Sequence, residues 1–225
     1  MAKSLQKLQA RKLRRIGKSI GEIASELEVS KSSASLWCSD IDLTPEQIAH
    51  LIKREGDGAA KGRQMAARLK KAERKQRMSQ FCDIGRRKIG QLTERELLLV
   101  GASLYWAEGN KKQRVVVFAN SDPDMIKIFL KWLQVCNNVT KDRLSSYVGI
   151  NQAHKKRICL VEKYWSELTG IPLDNFTKPS YKKVKSAKIY ENFEDHYGTL
   201  FVRLKKSTNL HYEILGYIER LKLAA

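Results

Sequence analysis

The chain is poor in the groups from which a metal-stapled or secreted protein is built. It has four cysteines, Cys38, Cys82, Cys136 and Cys159. No two of them stand at the Cys-x-x-Cys spacing, and His50, His154, His196 and His211 are scattered, which argues against a zinc finger. Four unpaired thiols point to a reducing, cytoplasmic setting. The opening residues, MAKSLQKLQARK, have no apolar centre, so no secretory signal is expected. No apolar run reaches about 18 residues, so no membrane span is expected. Acids are scarce as well. Asp and Glu number 24 against 43 Lys and Arg, giving a net charge of +19. Such a surplus calls for a polyanionic partner, and nucleic acid is the first candidate. A ribosomal or membrane-surface role would produce the same balance, so charge selects the partner class and not the function.

What is present begins with three short helices. Lys7 to Ile16 reads as a basic helix with Leu8, Leu13 and Ile16 on one side. Gly17-Lys18-Ser19 breaks it. Ser19 caps a second helix, Ile20 to Leu27, and Glu22 completes a capping box. Ile20, Ile23, Ala24 and Leu27 face inward. Glu28-Val29-Ser30 makes a tight turn, and Ser30 caps a third helix, Lys31 to Trp37, with Ala34 and Trp37 inward. This is the layout of a helix-turn-helix. Ser30, Lys31, Ser32, Ser33 and Ser35 form the expected DNA-facing set, since short hydroxyl side chains suit phosphate contacts and adaptable base contacts. Arg11, Arg14, Arg15 and Lys18 are expected to hold the backbone, because a bundle built only for stability would not stack like charges there. The segment resembles the helix-turn-helix of resolvases and small transcription factors, with Glu28 where the turn usually carries glycine.

Residues 44–91 are expected to connect this first domain, 1–43, to a second, 92–225. Pro45 opens a helix at its first position. Between Lys61 and Lys88 stand eleven basic residues against two acids, with a thin apolar stripe of Met65, Leu69, Met78, Phe81 and Ile84. A long exposed basic helix is the reading, either a solvated spacer or an arm that tracks phosphates.

The second domain is organised around TERELLLVGASLYWAEG, Thr93 to Gly109. Thr93 and Glu96 form a capping box, an apolar body follows, and Gly109 ends the helix. Gly101, Ala102, Ser103 and Ala107 lie among Leu104, Tyr105 and Trp106. Small residues in a helix make sense where another helix backbone comes close. Glu108 sits on the last turn, where the helix dipole repels an acid unless something positive lies nearby.

The stretch Ala102 to Gly109 resembles the signature helix of the LAGLIDADG family of homing endonucleases and their nuclease-dead relatives. A strand, Arg114 to Ala119, and a helix opened by Asn120-Ser121-Asp122-Pro123 continue the resemblance. It implies two such helices side by side, with Glu108 the terminal acid that enters the DNA groove and binds a divalent metal, Mg²⁺ in a nuclease. Trp106 stands where that family often carries a further acid.

Beyond this helix the periodicities give helices over Asp122 to Val135, Lys156 to Thr169 and Ser207 to Leu223. Strands are expected over Arg143 to Asn151, Phe176 to Val184 and Thr199 to Leu204. The fold class is therefore α+β, with helices on one sheet face. The other face would present Arg143, Lys178, Lys182, Lys183, Arg203 and Lys205, and the resemblance implies DNA contact there. A basic loop, Lys178 to Lys188, holds Tyr181 between lysines. Tyr105-Trp106-Ala107-Glu108 is echoed by Tyr164-Trp165-Ser166-Glu167. If the echo is a duplication, Glu108 and Glu167 meet within one chain. Otherwise a homodimer pairs two copies of Glu108.

Three functions compete. The first, and the preferred one, is a sequence-specific double-stranded DNA-binding transcriptional regulator, nucleoid-associated in the cytoplasm, a combination that resembles the bacterial regulator family WhiA, in which the two modules come in the other order. The second is a metal-dependent DNA endonuclease with Glu108 catalytic. The third, a resolvase-like recombination factor, lacks a serine-nucleophile domain.

Overall fold

The structure is a computed structural model and describes residues 2–55, 58–183 and 193–223. Its internal contacts divide the chain into two units, residues 1–90 with 186–194, and residues 91–185 with 195–225.

The first unit opens with α1, Ala2–Arg15, which begins earlier than the sequence reading placed it. Gly17, at φ +96°, takes the left-handed conformation that ends it. Two seven-residue helices follow, α2, Ile20–Glu26, and α3, Lys31–Trp37. Both start as their residues predict. The Ser19 hydroxyl accepts from the Glu22 amide at 3.2 Å while the Glu22 carboxylate accepts from the Ser19 amide at 2.8 Å. The Ser30 hydroxyl accepts from the Ser33 amide at 3.1 Å. The core here is small: Ala10, Ile23, Ala24, Ala34 and Cys38 are buried, with Leu13, Ile20, Leu27, Val29 and Trp37 packed around them. α4, Pro45–Glu55, is opened by Thr44 and Gln47, which exchange backbone-to-side-chain bonds. α5, Gly58–Ile89, runs for 32 residues, and Met65, Leu69, Met78 and Phe81 on it are all exposed.

The second unit is a four-stranded sheet with helices packed on one side. α6, Glu94–Glu108, carries the predicted capping box at Thr93 and Glu96. The strands are β1, Val117–Asn120, β2, Leu144–Asn151, β3, Ser180–Lys182, and β4, Thr199–Leu204. The helices are α7, Pro123–Asn137, α8, Ile158–Thr169, and α9, Thr208–Lys222. The α+β class is therefore present. The sheet order is β1-β4-β2-β3, with β4 antiparallel to both neighbours and β2 parallel to β3. Two strands are shorter than expected. Residues 114–116 are not strand, and only Ser180–Lys182 of the predicted 176–184 pairs, because a short parallel partner bonds to three residues of β2. Val184 and the rest of the predicted loop to Lys188 lie outside the described residues.

The sheet's inner face supplies Phe118, Val148, Ile150, Leu200, Val202 and Leu204 to a core completed by Tyr105, Phe129, Trp132, Trp165 and Ile214 from the helices. Phe118 stacks on Phe129 with centroids 4.1 Å apart. Among the described residues no helix is long and apolar enough to cross a membrane.

Candidate nucleic-acid interface

In the first unit the turn between α2 and α3 is made by Glu28 at φ +51°, a left-handed conformation in the place where glycine would cost nothing. The Val29 amide bonds to the Ala24 carbonyl at 3.0 Å and seats the Val29 side chain against the small core. The α3 surface then presents Lys31, Ser32 and Ser35, all exposed. Ser33 is half-buried, and its hydroxyl receives the Ser30 hydroxyl at 2.9 Å. Sequence reasoning missed Leu36, which is 73% exposed on the same helix. An exposed leucine beside serines and a lysine is the apolar group that a thymine methyl accepts. Its signal was its misfit to the inward set of Ala34 and Trp37.

The basic residues of α1 divide. Arg11 is bound in the tertiary structure. Its guanidinium donates to both Asp40 carboxylate oxygens, at 2.7 and 2.8 Å, and to the Trp37 carbonyl at 2.8 Å. Those bonds hold the Asp40 carboxyl down to about 2. Arg14 donates to the Lys18 carbonyl at 2.8 Å, and its burial pushes its pKa down. The Lys18 ammonium is paired with Glu26. Three of the four cations expected to meet DNA therefore make contacts that brace the first unit. Arg15 and Lys12 are exposed.

In the second unit, the small residues of α6 serve two faces. Gly101 and Ala102 point inward, and a Cβ at Gly101 would stand 2.0 Å from the Trp132 ring. The nearest group is thus an indole from α7, the helix whose backbone packs closely along α6. Ser103 and Ala107 point outward with Leu99, Val100 and Leu104, lining a shallow apolar depression of about 430 Å³. Leu99 and Trp106 are each 43% exposed beside it.

Glu108 is exposed at the end of α6. The positive neighbour expected there is Lys111, whose ammonium donates to the Trp106 carbonyl at 2.8 Å on the last turn. Among the described residues no group of three or more His, Cys, Asp or Glu comes together. A hard divalent cation needs several oxygen ligands. One exposed carboxylate does not supply them, so the described residues of a single chain do not fit the implied Mg²⁺.

The internal echo is not repeated in the packing. α6 lies against α7 and α9, whereas α8 lies against α7. Tyr105 is buried and Trp106 exposed on α6, whereas Trp165 is buried and Tyr164 half-buried on α8. The two copies are turned differently toward the core. Glu167 is paired with Lys163 at 3.8 Å on the outer side of α8.

Behind the end of α6 lies a buried polar pair. The Tyr105 hydroxyl donates to the Asn110 carbonyl at 2.8 Å and lies 3.2 Å from His211 Nδ1. The carbonyl can only accept, so it takes the phenol's one proton, and Nδ1–H of His211 donates to the phenol oxygen. Burial raises the Tyr105 pKa to about 12 and lowers that of His211.

The outer sheet face is read from strand register. Phe201 is opposite Tyr147 on β2 and Ala119 on β1, and Arg203 is opposite Ser145 and Val117. Lys182 is opposite Asn151 at the far end. Arg203, Lys178, Lys182 and Lys183 are exposed. Arg143 and Lys205 instead reach backbone carbonyls at the strand ends, those of Lys206 at 3.5 Å and Asp142 at 3.3 Å. In the middle, Tyr147 and Phe201 stack with centroids 4.4 Å apart and planes 7° from parallel. No protein-family model, curated protein or solved structure matches the chain.

Proposed function

We propose that the chain is a sequence-specific double-stranded DNA-binding protein, a transcriptional regulator whose first unit is a helix-turn-helix and whose second is a LAGLIDADG-like domain kept for binding. The observation that carries this reading is the α2–turn–α3 arrangement. Capped helices meet over Ile23, Ala24 and Ala34, and α3 turns Lys31, Ser32, Ser35 and Leu36 outward on a chain of net charge +19. α3 takes the place of a recognition helix in the major groove. Lys12 and Arg15 on α1, the basic surface of α5, the sheet-face cations Lys182 and Arg203, and Lys178 and Lys183 just outside β3 neutralise phosphate.

A second reading has one observation in its favour. The exposed apolar stripe of α6, with Ser103 and Ala107 in its middle, suits a two-fold contact with the same helix of a second chain. That homodimer would bring two copies of Glu108 together, as a metal-dependent endonuclease requires. The described residues of one chain do not assemble the ligands for its chemistry.

Titration of a labelled duplex at increasing salt tests the proposal. Affinity should fall by about 10³-fold between 50 and 200 mM salt if six or more phosphates are neutralised. Lys31→Ala should flatten that slope, and Ser32→Ala should change the preferred sequence. Supercoiled plasmid incubated with Mg²⁺ or Mn²⁺ should remain intact. Cleavage that Glu108→Gln abolishes would replace the regulator by the nuclease.

A further inference from the structure

We propose that the outer face of the sheet binds unpaired nucleobases, a single strand of nucleic acid stacked on the Tyr147–Phe201 pair. The two rings stand directly opposite one another on β2 and β4, the two central strands of the sheet. They lie on the side away from the helices and take no part in the apolar core, yet both remain half-exposed. A Cβ at position 149 would stand 2.8 Å from Phe201 Cε2, so Gly149 is what lets the ring lie over β2. The face around the pair is otherwise built of small and hydroxyl side chains, Ser145, Thr199 and Ser180, which leave the rings the most prominent groups on it.

Charge brackets the pair. Arg203 is two residues from Phe201 on β4, and Lys182 closes the other end of the face opposite Asn151. From Ser145 to Asn151 the strand runs about 20 Å, enough for several nucleotides between the two cations. The division of chemistry is that of a single-strand site, with cations for the backbone at the ends and π surfaces for the bases between them. A duplex offers base edges in its grooves and hides its base faces in the stack, so paired rings have nothing there to stack on. The rings take no part in the duplex reading of α3, although Lys182 and Arg203 serve phosphate in either nucleic acid. DNA and RNA share the base face and the phosphate, and either sugar is compatible with it.

The test uses the full chain and labelled strands of about 12 nucleotides in DNA and RNA form, the same DNA strand with abasic central positions, and a blunt duplex. Tyr147→Ala with Phe201→Ala should weaken binding of the intact strands by about 10- to 100-fold and change duplex binding by less than about 2-fold. Tyr147→Phe should bind as the wild type does, since the ring and not the hydroxyl carries the contact. The wild-type chain should hold the abasic strand as weakly as the double variant holds the intact one. An abasic strand bound as tightly as the intact strand would overturn the proposal, whatever the variants do. So would equal losses on strand and duplex. The tighter of the DNA and RNA arms identifies the sugar. Duplex binding through α3, read in the same titrations with Lys31→Ala, fails or holds separately.

Discussion

The two units use their charges and apolar side chains in opposite ways. The first has a core of alanines, one isoleucine and a cysteine, and polar contacts brace its helices and the segments between them: Arg11 to Asp40 and Trp37, Arg14 to Lys18, Lys18 to Glu26, Gln6 to the Leu27 carbonyl. The second buries Trp132, Trp165, Tyr105, Phe118 and Phe129. Its pairs Lys127–Asp124, Lys163–Glu167 and Lys222–Glu219 lie within single helices, where such pairs contribute little. Arg203, Lys178, Lys182 and Lys183 of the second unit thus face outward, whereas the cations of α1 are partly consumed in building the fold. A count of positive residues therefore overstates the binding surface most where the core is smallest.

The largest effect that would test this contrast is in the second unit. Trp132→Ala should cost about 3–5 kcal/mol in urea unfolding. Gly101→Ala, which forces a methyl against the same indole, should cost about 1–3 kcal/mol, and the two together less than their sum because they share one contact. In the first unit, Arg11→Ala should cost about 1–3 kcal/mol, since it strands the buried-side Trp37 carbonyl and frees Asp40. Amide exchange resolves which unit loses protection. If Arg11→Ala weakened DNA binding with no loss of stability, the division of cations drawn above would be wrong. Glu28→Gly should raise first-unit stability by up to about 1 kcal/mol by relieving the left-handed backbone, measured as a shift in urea midpoint.

The smallest effect is in pH, and it separates the units by where it falls. Burial lowers the His211 pKa from 6.5, so the unfolded chain binds the proton more readily. Second-unit stability from this group is complete above pH 6.5 and is lost as pH falls through the lower folded value. The Asp40 carboxyl, held by Arg11, goes from 3.8 to about 2. Its contribution to the first unit is complete above pH 3.8 and fades only as pH falls towards 2. Unfolding curves between pH 7 and 5 should therefore move for the second unit alone. Asp40→Asn should reduce the acid-side slope of the first, leaving the part that Glu46 contributes through its bond from Thr44.

Local signals were legible in the sequence. The capping boxes at Ser19 with Glu22 and at Thr93 with Glu96 are both formed, because each needs only residues three apart. The β4 boundaries agree with the reading, and the inward set of Ile23, Ala24 and Ala34 is buried. What was not legible depends on rotation or distance. The Arg11–Asp40 pair joins residues 29 apart, and no spacing rule reaches that far. The run of small residues in α6 could not reveal that Gly101 meets Trp132 while Ser103 faces outward, since that depends on where α7 packs. The Tyr147–Phe201 pair appears only when β2 and β4 are placed in register, which no pattern within either strand gives.

The long helix α5 has a consequence for how the chain would respond to a partner. At 32 residues it extends about 48 Å with few tertiary contacts among the described residues to hold it, and its own like charges work against its ladder. A polyanion laid alongside would remove that repulsion and stiffen the segment. Its backbone amides should then exchange more slowly in the complex than in the free protein, and much of the association entropy would be spent in this rod.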